Sequence, residues 1–376
     1  MKRFTFVLLA YFSVICSSIG QQMPADIMYA GTSPGHGSKG IYVFLFDRDK
    51  AQLAELQTVT EKKNPNFLAV SPNKKILYAI YSEGLTKEDT TGTVMSFKID
   101  PSTGHLTRLN EQSTMGKGPA HVSVDPKGRF TYVANYGGGN FAVYPIKKDG
   151  SLGKAKQVIQ FEGQGFNPEL QQRPFVHSVF PSADGRFIYV SSLGLDKIYI
   201  YKVGKNGYLS PATMAFEKSA DGSGPRHFAF HPNGKFAFSV EELTSTVASF
   251  KRDEKTGALT PLERFNMVPD DFTARTSGAD LHLSPDGKFL YVSVRGLQNI
   301  AIYSVNADNG KLTFVGREDT RGDHPRNFCM DKKGEYVYVA NMRSDNIVYF
   351  KRDPVNGTLT YAGEDKVPSV ACIIQL

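Results

Sequence analysis

Along most of the chain, apolar and polar residues alternate with a period of two, in short runs broken by Gly, Asn, Asp and Pro. That period puts apolar side chains on one face of a strand, and it leaves no room for the paired helices of a helical repeat. Residues 224–243, GPRHFAFHPNGKFAFSVEEL, show the unit: an alternating run, a tight Pro-Asn-Gly turn and a second, aromatic-rich run. The pattern predicts a β-hairpin. Its open end is unusual, because it carries Arg226 on one strand and Glu241-Glu242 on the other.

The same turn recurs as SPNKKILY, DPKGRFTY, SADGRFIY, HPNGKFAF, SPDGKFLY and DKKGEYVY, at intervals of about 50 residues. A second turn recurs between a later pair of strands: DRDKAQL, IDPSTGHL, KKDGSL, GKNGYL, RDEKTGAL, NADNGKL and RDPVNGTL. Seven of the second kind against six of the first predict six complete four-stranded units and one split between the chain ends. The N-terminal DIMYAGTS and GIYVFLFD supply its second and third strands, and the C-terminal VPSVACIIQL its first. Closing a ring this way removes the free edges that a linear array exposes. The expectation is an all-β, seven-bladed β-propeller with four-stranded blades, formed by residues 21–376 as one domain.

In such a blade the start of the first strand and the end of the second share one rim. Aligned on the turn, the first position holds Asn66, Ala120, His177, Arg226, Ala279, Arg326 and Ser369. The second holds Ser82, Tyr136, Leu193, Glu242, Arg295 and Met342. His177, Arg226, Glu242 and Arg295 therefore come from three consecutive blades and are expected to converge at the channel mouth, as the catalytic group. Arg326, His121, Asn135, Asn341 and Glu241 occupy neighbouring rim positions and are expected to contact substrate. Singly, each has an ordinary structural explanation, such as a surface histidine or a cross-strand ion pair. Together they interrupt the alternation with charge at equivalent heights, as a site grafted on a regular scaffold does.

Composition narrows the field. The 376 residues include 35 Gly, 18 Tyr and 26 Phe but no Trp, which suits many short strands and tight turns. The N-terminus MKRFTFVLLAYFSVICSSIGQQ has the layout of a secretory signal, with a basic start, an apolar core and small residues before Gln21. Residues 1–20 are expected to be cut after Gly20, giving an exported, periplasmic or secreted protein. Cys16 raises the alternative of a lipid anchor, and the apolar run is too short to span a bilayer. Cleavage takes away Lys2 and Arg3, lowering the +7 net charge by two, and no run of like charges suggests a nucleic-acid partner. Cys329 and Cys372 sit in apolar runs and are expected to be free buried thiols.

Other motifs lead nowhere. GTSPGHGSKG lacks the order of a phosphate loop and reads as a rim loop. His227 and His231 lie about 13 Å apart along a strand, too far to chelate one metal. The rim lacks the oxygen cluster of a Ca²⁺ site, so no metal and no cofactor is expected. YGGGNF at Tyr136–Phe141 reads either as a close ligand approach or as a plain loop.

At these residues the chain resembles the seven-bladed propeller lactonase family, which includes bacterial 6-phosphogluconolactonase and fungal carboxy-cis,cis-muconate lactonizing enzyme. The resemblance spans residues 21–376 and is most specific in PAHVSVDPKGRFTYVANYGGGNFAVYP, GPRHFAFHPNGKFAFSVEELTSTVASF and LHLSPDGKFLYVSVRG. It implies a site of His177, Arg226, Glu242 and Arg295 acting on a small lactone or sugar acid. Glu241 stands where an Asn is more usual, which leaves two carboxylates as the possible base, with His177 as a third. Export sets the chain apart from a cytoplasmic phosphogluconolactone and points towards an unphosphorylated sugar lactone. Lactone closure of the muconate kind and a non-enzymatic binding module remain as alternatives, and the sequence carries no sign of an oligomeric state.

Overall fold

The computed structural model describes residues 26–376 except Lys63 and Lys87. The expected signal segment 1–20, its cleavage position after Gly20, and Cys16 lie outside the described residues. Seven antiparallel sheets of four strands each follow one another around a ring. Blades are numbered here by their first strands: Pro65–Val70, Pro119–Val124, Val176–Pro181, Pro225–Phe230, Ser277–Leu283, Pro325–Met330 and Val370–Gln375. Each first strand packs against the first strands of both neighbours, so these seven line the central channel. Blade 7 is the split one, with Val370–Gln375 paired to Ile27–Thr32 from the other end of the chain.

Seven apolar clusters hold the ring together, each shared by two adjacent blades. In four blades a second-strand tyrosine ties that blade to the next. The hydroxyls of Tyr29, Tyr78, Tyr189 and Tyr291 donate to the carbonyls of Gly104, Gly150, Gly257 and Gly357 in the next blade's second recurring turn. Gly257 adopts φ +80°, and a Cβ there would lie 2.6 Å from the Phe187 ring, so both conformation and packing require glycine. Tyr189 Oη also accepts from Arg252 Nε at 2.9 Å. Tyr189→Phe is therefore expected to cost about 1–3 kcal/mol, read as a lower urea midpoint with an unchanged slope.

The channel end of every blade departs from ideal pairing. The register between first and second strands slips by one residue, leaving Asn66, Ala120, His177, Arg226, Ala279, Arg326 and Ala371 in β-bulges. A bulge breaks the two-residue alternation and re-aims side chains. In blade 4 both Arg226 and the following His227 consequently face the channel. In blade 7 the bulged residue is Ala371, two positions beyond the Ser369 expected from the sequence, so that blade adds no polar side chain to the bulge ring.

Candidate active site

The bulge ring carries the charge. Arg226 is almost fully buried; its Nε donates to Glu242 Oε2 at 2.8 Å, and its Nη1 donates to the Ala279 carbonyl of blade 5. Arg295 Nη2 lies 3.1 Å from the same carboxylate oxygen and donates to the Gly278 carbonyl at 2.8 Å. Both arginines thus pin Oε2 and leave Oε1 towards the mouth, where the Glu242 side chain is 20% exposed. Arg326, from the bulge of blade 6, acts on the same carboxylate without an ion-pair partner of its own among the described residues.

Burial pushes the Glu242 carboxyl up, but Arg295, Arg226 and Arg326 more than offset this and hold it below the ordinary value. It is an anion at neutral pH. Burial, followed by repulsion from Arg295, pushes the Arg226 guanidinium down to about 9. His177 is held well below the usual imidazole value by burial and then by Arg226, His227, Arg326 and His121, so it is neutral. Tyr136 packs edge-on against His177, with ring centroids 5.5 Å apart, and burial plus the Glu242 charge push its phenol up to about 12. Beside the cluster a rim cavity of about 520 Å³ is lined by Glu242, Arg295, Arg275, Arg343, His324 and Ser277, among others. The arrangement offers a neutral imidazole, an anchored carboxylate and excess positive charge in one cluster. That set suits acid–base work on a substrate that becomes anionic.

Residues 27–375 match the family described as Lactonase, 7-bladed beta-propeller. The chain belongs to the seven-bladed propeller lactonase family. It is 37% identical to 6-phosphogluconolactonase of Bacillus subtilis over 309 residues, covering 82% of this chain and 86% of that protein. It is 36% identical to 6-phosphogluconolactonase of Formosa agariphila, covering 78% and 83%. Among solved structures, it superposes on the periplasmic gluconolactonase of Pseudomonas aeruginosa with a TM-score of 0.87 at 32% identity, covering 93% and 98%. As a family member the chain is a lactone-opening carboxylic ester hydrolase.

In this lactonase the structure brings His177, Arg226, Glu242, Arg295 and Arg326 together, and other expected residues go elsewhere. His121 is not on the rim. It lies one step deeper in the channel, between Phe67 and Phe180, with its Nδ1 accepting from the Val179 amide at 3.4 Å. Asn135, Asn341 and Glu241 are structurally equivalent and turn away from the channel. Asn135 and Asn341 donate to the Thr114 and Thr320 carbonyls, tying down the chain arriving from the previous blade. Glu241 is fully buried against Arg264 Nε at 2.9 Å and Thr246 Oγ1 at 2.5 Å. Successive strand residues face opposite sides, so Glu241 and Glu242 cannot both reach the mouth.

Several residues at or near the site were missed from the sequence. Tyr136 stands in the expected rim row but carries no charge to flag it. Arg275, Arg343 and His324 lie on loops that the repeat alignment does not cover. Gly137 and Gly138 of YGGGNF are closely approached by the chain's own Lys117 backbone, 2.9 Å from where a Gly138 Cβ would sit, and Gly139 by Pro174. GTSPGHGSKG forms the rim loop expected of it, with His36 Nδ1 2.7 Å from Asp345. Cys329 and Cys372 are free and buried. Among the described residues no three His, Cys, Asp or Glu side chains converge to hold a metal, and no helix is long and apolar enough to cross a membrane.

Proposed function

We propose that the protein opens a sugar lactone at the channel mouth without a metal, and that it acts after export. The observation that carries this reading is a neutral, buried imidazole close to Arg226, which with Arg295 pins a carboxylate, in a lactonase fold. His177 Nε2 takes a proton from water as the water oxygen bonds to the ring carbonyl carbon. The carbonyl oxygen becomes an oxyanion, which the fields of Arg226 and Arg326 stabilise. Collapse breaks the bond to the ring oxygen, and the imidazolium returns its proton to that oxygen, leaving a hydroxy acid. Glu242 keeps Arg226 and Arg295 in place and presents Oε1 to the water. Both Glu242 and His177 are thus assigned to the reaction, and Glu241 is not.

Two lactone classes are compatible with the relatives. The names of the Bacillus and Formosa proteins point to a phosphorylated lactone. The Pseudomonas protein is a periplasmic gluconolactonase, which supports an unphosphorylated substrate and agrees with the proposed export. The test is hydrolysis of glucono-1,5-lactone and 6-phosphoglucono-1,5-lactone by the protein, corrected for spontaneous opening, with and without EDTA. Turnover that EDTA leaves unchanged is expected, with the unphosphorylated lactone preferred. The absence of any rate above background on both lactones would overturn the reading.

A further inference from the structure

Below the bulge ring, the next residues of the first strands form a second ring: Phe67, His121, Ser178, His227, Asp280, Asn327 and Cys372. The reaction outlined above leaves its polar members without a task. Asp280 is almost fully buried and collects donors: His227 Nδ1 at 2.7 Å, Asn327 Nδ2 at 2.5 Å, His282 Nε2 at 3.1 Å and the Leu281 amide at 2.9 Å. These donors hold its carboxyl well below the usual range against the opposing effect of burial. An acceptor-only carboxylate at 2.7 Å requires a proton on His227 Nδ1.

Burial and Arg226 push His227 down to about 4, so the ring is neutral and its lone pair sits on Nε2. That Nε2 is sealed from solvent with no partner, and so is Nδ1 of His177. Among the described residues these are the only two imidazole nitrogens in that condition. Their rings lie 5.2 Å apart between centroids and are inclined by 68°. An N–H···N bond of about 3 Å, plus about 1.1 Å from each nitrogen to its ring centre, spans about the same distance. The ring separation thus fits an N–H···N bond between the two orphaned nitrogens once the rings are aligned.

We propose that Asp280 and His227 are positioning residues for the reaction: His227 Nε2 accepts the Nδ1–H of His177, which leaves the His177 lone pair on Nε2, facing the channel mouth. The chain runs carboxylate, imidazole, imidazole. It has the logic of a carboxylate orienting a catalytic histidine, extended by one ring. No proton is gained or lost by His227 or Asp280 over a turnover. The proton taken from water goes to His177 Nε2 and from there to the leaving ring oxygen. The other charged or titratable groups facing the two rings are Arg226, Arg326, Tyr136, His121 and His282.

The kinetic part of this proposal rests on His177 being the base, but its structural part does not. The test starts with long-range ¹H–¹⁵N correlation spectra of the full chain labelled at histidine, which report the tautomer of each ring. His177 is expected as the Nδ1–H tautomer, and finding its proton on Nε2 overturns the proposal. Two substitutions then separate positioning from packing. His227→Gln places an amide where Nε2 stood, and His227→Asn places one where Nδ1 stood. The Gln variant is expected to keep the His177 tautomer and a kcat within about tenfold of the parent. The Asn variant is expected to lose the tautomer and a further 10- to 100-fold or so in kcat at little-changed KM. Equal tautomers and equal rates in the two variants overturn it. Asp280→Asn is expected to act in the direction of the Asn variant; should it fail to fold, the Gln and Asn pair still decides. A parent protein inactive on every lactone, with His177 nonetheless in the Nδ1–H form, overturns the lactone reading and supports the positioning.

Discussion

Glu242→Gln is expected to lower kcat/KM for the preferred lactone by about three orders of magnitude while the circular dichroism of the folded β-protein persists. Glu242 Oε2 is the common anchor of Arg226 and Arg295, at 2.8 and 3.1 Å. An amide oxygen can accept from both but carries no charge, so three guanidiniums are left at one mouth with no counter-ion between them. Their repulsion loosens the groups that must meet the oxyanion in fixed positions, and the oxygen facing the attacking water loses its charge. Removing one partner of a buried ion pair typically costs about 3–5 kcal/mol. The carboxylate is 20% exposed, so the loss of stability is expected to fall below that range, at about 1–3 kcal/mol. Initial rates corrected for spontaneous opening, paired with urea unfolding, separate the two effects. A variant with the parent's rate would remove Glu242 from the site; a variant that is merely unfolded would show it in the spectrum.

Much of this arrangement is legible in the chain itself. The two recurring turns carry their own phase, so counting back from each turn glycine reaches the bulged residue in blades 2 to 6. That is why His177, Arg226 and Arg326 could be placed at one height. Counting forward along the second strand reaches Glu242 and Arg295 in the same way. Blade 7 has no turn after its first strand, and the reading there slipped from Ala371 to Ser369. Strict alternation also hid the second ring. If Arg226 faces the channel, a regular strand turns His227 away from it, and only the bulge lets both point inward. Asp280 was obscured for the same reason. The opposite error placed Glu241, Asn135 and Asn341 on the rim, where alternation alone would have sent them outward. Loop residues such as Arg275 and Arg343 have no repeat phase, so nothing local in the sequence marks their approach to Glu242.

Acid is expected to unfold the protein unusually steeply between pH 6.5 and about 4. His121, His177 and His227 are buried as neutral rings, with His227 pushed down to about 4 and the other two well below the ordinary value. The less buried His324 shifts the same way, down to about 3. A depressed imidazole binds fewer protons in the folded state than in the unfolded chain. Its contribution is therefore complete above the unfolded value near 6.5 and is lost as pH falls towards the folded one. Each such ring withdraws about 1.4 kcal/mol per pH unit within that window. His282 works against them, because its value is raised beside Asp280, but its side chain is 40% exposed and its contribution is weaker. Asp280, held well below 3.8, begins to lose its contribution only near the lower end of the range. The balance is a fall on the order of 2–4 kcal/mol per pH unit, a large fraction of a typical domain's stability. Urea unfolding from pH 7 to pH 4.5 measures this slope, and a flat profile down to pH 5 would show that these rings take up protons without opening the fold. His121→Gln removes one ring from the set and is expected to flatten the slope by about 1 kcal/mol per pH unit. The imidazole that must stay neutral for the reaction thus does so far below the ordinary histidine range, and loss of the ring of blades, not protonation of His177 in the intact fold, sets the acid limit of activity.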